Sequence, residues 1–118
     1  MIIGTGIDMI ELNRIEAIVK RNPRFIKKIL TTDEEALYDQ KQTEQAKLEF
    51  LAGRFAGKEA FAKAYGTGIG QISFQDISIL TGSLGEPILF FKREASFKSH
   101  ISISHSRTYA IANVILEQ

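Results

Sequence analysis

Phe50-Leu51-Ala52-Gly53-Arg54-Phe55-Ala56-Gly57-Lys58-Glu59-Ala60-Phe61 is the centre of the longest periodic stretch in this chain. Leu48, Leu51, Ala52, Phe55 and Ala62 recur at helical spacing, so one long helix is predicted from about Glu44 to Tyr65. Gly66-Thr67-Gly68-Ile69-Gly70 ends it as a loop. Glu59 falls on the apolar stripe, where a lone carboxylate costs several kcal/mol unless it is paired or metal-bound. Two readings of Glu59 stand side by side: an ion pair with Lys63, one turn on, or a metal ligand. Lys47, Arg54 and Lys58 share another face of the helix, and Lys63 follows. They form either a solvated face or a phosphate cradle that the glycine loop continues with its amides.

Working outward, Ile2 to Met9 reads as a buried strand interrupted by Gly4 and Gly6. Asp8-Met9-Ile10-Glu11 resembles a capping box, opening a helix to about Asn22 with Ile10, Ile15, Ile18 and Val19 inward. Asp8 is thus either a helix N-cap or a metal ligand, with glycines before it that permit close approach to a ligand. Pro23 breaks the helix and opens a second, Arg24 to Leu30. Thr32-Asp33-Glu34-Glu35 is another capping box, before a helix ending near Lys41. The second half reads as strands: Ile72 to Leu80, a turn at Gly82-Ser83-Leu84-Gly85, then Ile88 to Phe91. Ile101 to His105 and Tyr109 to Leu116 can pair across Ser106-Arg107-Thr108. His105, flanked by Ser104 and Ser106, is either structural or a phosphate-binding or proton-handling group.

Composition narrows the function classes. One domain, 1–118, is expected from 118 residues. A core of that size is modest, which favours an oligomer. A formal net charge of +1 argues against a broadly basic nucleic-acid binder. With no cysteine there is no disulfide, thiolate zinc site or thiol nucleophile. The N-terminus lacks the basic region and apolar run of a signal peptide, and no window is long and apolar enough to span a bilayer, so a cytoplasmic protein is expected. One basic patch stands out: Arg14, Lys20, Arg21, Arg24, Lys27 and Lys28, with Ile18 and Phe25 interleaved. It is a solvated face or a dock for a small acidic protein.

Gly6-Ile7-Asp8-x-x-Glu11, the Phe50–Phe61 stretch, Lys63-Ala64-Tyr65-Gly66-Thr67-Gly68 and Ile103-Ser104-His105-Ser106 together resemble the holo-acyl-carrier-protein synthase family, the short bacterial 4'-phosphopantetheinyl transferases. The resemblance covers nearly the whole chain. It implies an α+β fold, with an N-terminal strand and helices and a long central helix packed on a small antiparallel sheet. It implies transfer of 4'-phosphopantetheine from coenzyme A to a serine of apo acyl carrier protein, in fatty acid biosynthesis, releasing adenosine 3',5'-bisphosphate. By the same resemblance Asp8 and Glu59 hold magnesium and, with His105, form the catalytic set. Lys47, Arg54, Lys58, Lys63, Thr67, Gly68, Pro87 and His105 line the coenzyme A site. Arg14, Ile18, Arg21, Arg24 and Phe25 receive the carrier. Glu59 is the first choice of general base and His105 the second. A homotrimer with sites between subunits is implied. Two departures are visible: Phe55 stands where the family often has Trp, and Ile10 where longer relatives have a further acid. The alternatives are a magnesium-dependent nucleotide phosphohydrolase and a non-enzymatic interaction domain.

Overall fold

A computed structural model describes residues 1–93 and 95–118. The order is β1 (Ile2–Glu11), α1 (Leu12–Arg21), α2 (Phe25–Ile29), α3 (Thr32–Asp39), α4 (Glu44–Tyr65), a 3-10 turn (Phe74–Asp76), β2 (Ile77–Thr81), β3 (Pro87–Phe91), β4 (Lys98–His105) and β5 (Tyr109–Glu117). This is the expected α+β arrangement. Antiparallel strands run β1-β5-β4 in one sheet and β2-β3 in a second. Helix α4 packs across the inner face of the larger sheet. Leu51, Ala52, Ala56, Ala60 and Phe61 of α4 meet Ile10, Ala112, Val114 and Leu116 in one apolar core.

The ends of α4 are written locally. The Thr43 hydroxyl accepts from the Ala46 amide at 3.0 Å, and Gly66 closes the helix at φ 104°, a backbone state that suits glycine. Strand β1 lies so close on α4 that a Cβ on Gly4 or Gly6 would drive into the carbonyl oxygens of Ala64 and Ala60. These glycines admit the helix, not a ligand.

Three local expectations are corrected. Asp8 is no helix cap: β1 continues to Glu11, with Asp8 opposite Ala112 of β5. The first free amide of α1, on Leu12, donates instead to the Thr108 carbonyl at 2.9 Å, so no side-chain cap is needed. The capping box of α3 begins one residue earlier, at Thr31, with Glu34 as its acid. The expected strand from Ile72 is interrupted by the 3-10 turn, which Ser73 and Asp76 cap reciprocally.

On the outer face of the β1-β5-β4 sheet, β1 and part of β5 are apolar and bare in the single chain, whereas β4 turns His100, Ser102 and Ser104 outward. Ile3, Ile7 and Met9 are 47%, 58% and 60% exposed. Met9 stands opposite Ile111, and Thr5 opposite Ile115. Among the described residues, no helix is long and apolar enough to cross a membrane.

Candidate active site

Two clefts carry most of the expected chemistry. In the first, Asp8 projects from the inner face of β1 beside Glu59 of α4, and Arg14, Ile18, Phe25 and Phe55 complete the walls. Its volume is ≈ 240 Å³. Burial raises the Glu59 pKa above its ordinary value, and the Asp8 charge raises it further, against a smaller lowering by Lys63. The two carboxylates therefore feel each other. Lys63 does not pair with Glu59. Its ammonium donates to Asp8 Oδ1 at 3.1 Å and to the Ile7 carbonyl at 2.9 Å. Among the described residues, no third Asp, Glu or His joins the pair into a cluster of three. Two neighbouring carboxylate oxygens with no sulfur or nitrogen donor fit a hard divalent cation such as magnesium, which keeps most of its waters. Position 10, where longer relatives have an acid, is Ile10, buried in the core.

The second cleft holds Lys41, Glu49, Phe50, Arg54, Ile103 and His105. His105 ends β4, half exposed, with Nδ1 3.6 Å from Glu49 Oε2. The Arg54 guanidinium stacks on Phe50, 4.1 Å from the ring centre. It donates to the Ile79 carbonyl at 3.0 Å and to Thr81 Oγ1 at 3.2 Å. Burial pushes its pKa down to about 10, partly opposed by Glu34. Pro87, at the start of β3, pairs with that same Thr81. Lys41 and Glu49 escaped the sequence reading. Glu49 lies four residues before Gly53 on α4, so helical spacing alone could have placed it on this face.

The basic face read along α4 does not exist as one surface. Lys47 turns to the other side, its ammonium 5.5 Å from the Tyr38 ring centre. Lys58, expected along the coenzyme A site, is fully buried. Its Nζ donates to Glu34 at 2.5 Å, the Ile29 carbonyl at 2.6 Å and the Phe74 carbonyl at 3.0 Å. A lysine with all three protons used internally cannot also bind a phosphate. Burial lowers its pKa, while Glu34 opposes the shift.

The glycine loop is likewise only partly free. The amides of Gly66, Gly68 and Gly70 are spent on the carbonyls of Ala62, Lys63 and Ile72, so a cradle built on the Gly68 amide is corrected. Gly68 has φ 69° and open space where a Cβ would stand. The Thr67 hydroxyl donates to the Gly68 carbonyl at 3.0 Å. In the basic patch, Arg14, Arg21 and Arg24 are exposed, and Ile18 and Phe25 half-buried.

Known proteins resemble this chain along nearly its whole length. Residues 4–114 match the 4'-phosphopantetheinyl transferase superfamily. The holo-[acyl-carrier-protein] synthase of Oceanobacillus iheyensis is 55% identical over 117 residues, covering 99% of this chain and 98% of that protein. The synthase of Halalkalibacterium halodurans is 50% identical over 119 residues, covering 100% of this chain and 98% of that one. The crystal structure of the holo-(acyl-carrier-protein) synthase from Bacillus anthracis in complex with CoA (3',5'-ADP) superposes with a TM-score of 0.91 at 46% identity, over 99% of this chain and 97% of that one. The Helicobacter pylori synthase in complex with coenzyme A does so with a TM-score of 0.84 at 34% identity, over 96% and 99%. With a family match from one end of the fold to the other and relatives this near, the chain belongs to the 4'-phosphopantetheinyl transferase superfamily.

Proposed function

We propose that this protein is a holo-acyl-carrier-protein synthase. It moves the 4'-phosphopantetheine group from coenzyme A to a serine of apo acyl carrier protein, and serves fatty acid biosynthesis. The observation that carries the reading is the shared cleft: Asp8 and Glu59 open onto the same hollow as Arg14, Ile18 and Phe25. An acidic protein held by the arginines would bring its serine hydroxyl to the carboxylates.

In the reaction the serine oxygen bonds to the β-phosphorus of coenzyme A. The bond from that phosphorus to the bridging pyrophosphate oxygen breaks, and adenosine 3',5'-bisphosphate leaves. The serine proton passes to a Glu59 carboxylate oxygen. Glu59 takes that proton directly or through a water, as a carboxylate within reach of the hydroxyl can. Asp8 and Glu59 would hold magnesium, which supplies charge stabilisation on the pyrophosphate when bound. The Lys63 ammonium lies 3.1 Å from Asp8 Oδ1 and would add positive charge beside the leaving group. Arg54, His105, Pro87 and Thr67 are assigned to the coenzyme A site.

His105 lines a different cleft from the carboxylates. The bare apolar face of β1 and β5 is suited to burial against another subunit. Both features support a homotrimer in which the Asp8–Glu59 cleft of one subunit meets the His105 cleft of its neighbour. The test of the function is incubation with coenzyme A, magnesium and apo carrier. The carrier gains the mass of one phosphopantetheine if the reading is right. Consumption of coenzyme A with the carrier unchanged would mean transfer to water, the phosphohydrolase alternative.

A further inference from the structure

Helix α2 spans five residues, Phe25–Ile29, too short to persist on its own hydrogen bonds. A helix this short leaves its last carbonyls without intrahelical partners. Two side chains from elsewhere take them. Gln75 Nε2, on the 3-10 turn, donates its two protons to the carbonyls of Lys27 and Leu30, each at 2.9 Å, and shares one of them with the Lys28 carbonyl at 3.3 Å. Lys58 Nζ, on α4, donates to the Ile29 carbonyl at 2.6 Å. Every carbonyl from Lys27 to Leu30 is thus held. Glu34 secures the lysine in turn, and it also accepts from the Ile79 amide at 2.7 Å. At the other end of α2, the Phe25 ring packs 6.0 Å from Phe55, which stacks 5.6 Å from Phe74.

Lys58 precedes Glu59 directly. The helix that presents the carboxylate therefore also grips α2, and α2 presents Phe25, with Arg24 at its N-cap. We infer that Lys58 and Gln75 are positioning residues, a clamp that sets the docking helix α2 at a fixed place relative to Glu59. The inference rests on the transfer reading above.

Gln75→Ala tests it without entering the core. Transfer is measured with the carrier varied at saturating coenzyme A, then with coenzyme A varied. Losing these hydrogen bonds should raise the KM for carrier about fivefold or more. The kcat and the KM for coenzyme A should stay within about twofold. Amide hydrogen exchange in residues 25–30 should accelerate about tenfold while α4 stays protected. The double variant Lys58→Met with Glu34→Leu removes both buried charges together. If it folds, it should show the same split, enlarged; if it does not, Gln75→Ala alone decides. Unchanged exchange in residues 25–30 would overturn the clamp. Faster exchange with an unchanged KM for carrier, or an equal rise in both KM values, would overturn its role in docking. A wild-type protein that transfers nothing to carrier would remove the transfer reading itself, an outcome read before any variant is compared.

Discussion

Lys63 sits against Asp8, its Nζ 3.1 Å from Oδ1, and not against Glu59, the acid one turn earlier on the same helix. The ordinary i,i+4 pair has been given up. Glu59 is left half-buried in a cleft with a second carboxylate and a raised pKa. That arrangement costs stability in the free protein and is suited to a cation or a proton arriving from outside.

Glu59→Gln separates the two costs. A carboxyl whose pKa is raised by folding opposes folding wherever it is ionised in the native state. The penalty is fully present above the raised value and absent below the ordinary 4.5. In metal-free buffer the variant should therefore melt no lower than wild type at pH 8. Any difference should fade as the pH falls below 4.5. Transfer should fall by about a hundredfold or more. Asp8→Asn should also abolish transfer, and full activity of that variant at ordinary magnesium would remove Asp8 from the site.

The arginine patch should act through charge. Arg14→Glu or Arg21→Glu is expected to weaken carrier binding about tenfold at low salt and progressively less as salt rises, because exposed charges are screened. Titration calorimetry with coenzyme A should show little change. Weaker coenzyme A binding with carrier binding spared would reassign the patch.

Gly6→Ala should cost about 3 kcal/mol or more, since its Cβ meets the Ala60 backbone carbonyl, which cannot step aside. Gly53→Ala should cost far less, because its Cβ would meet only the Ile103 side chain, at 3.2 Å. Denaturant melts of the two variants compare them directly.

Subunit mixing reads the assembly. Asp8→Ala and His105→Ala proteins, each inactive alone, should regain part of the activity after exchange, because some mixed interfaces carry neither defect. No recovery despite proven exchange would place the whole site in one chain.

What could be read from the sequence divides by distance along the chain. Helix α4 was legible to its last residue because Thr43 and Gly66 mark its ends locally. The α+β arrangement was legible from the shift in apolar period after Gly70. The role of Asp8 in a strand was not, because its pairing with Ala112 joins residues from opposite ends of the chain. Lys58 was misplaced for the same reason. Helical spacing shows which residues share a face, but not that Glu34, 24 residues away, waits inside to neutralise one of them. The His105 cleft was half-visible: the histidine stood out, whereas its neighbours Lys41 and Glu49 come from other elements.

The most direct test of the central claim is the stoichiometry of one reaction containing apo carrier, coenzyme A and magnesium, followed by mass spectrometry. Wild-type protein should yield holo carrier and adenosine 3',5'-bisphosphate in equal amounts, and Glu59→Gln should yield about a hundredfold less of both in the same time. Bisphosphate formed without holo carrier, or holo carrier formed at the wild-type rate by Glu59→Gln, would contradict the account.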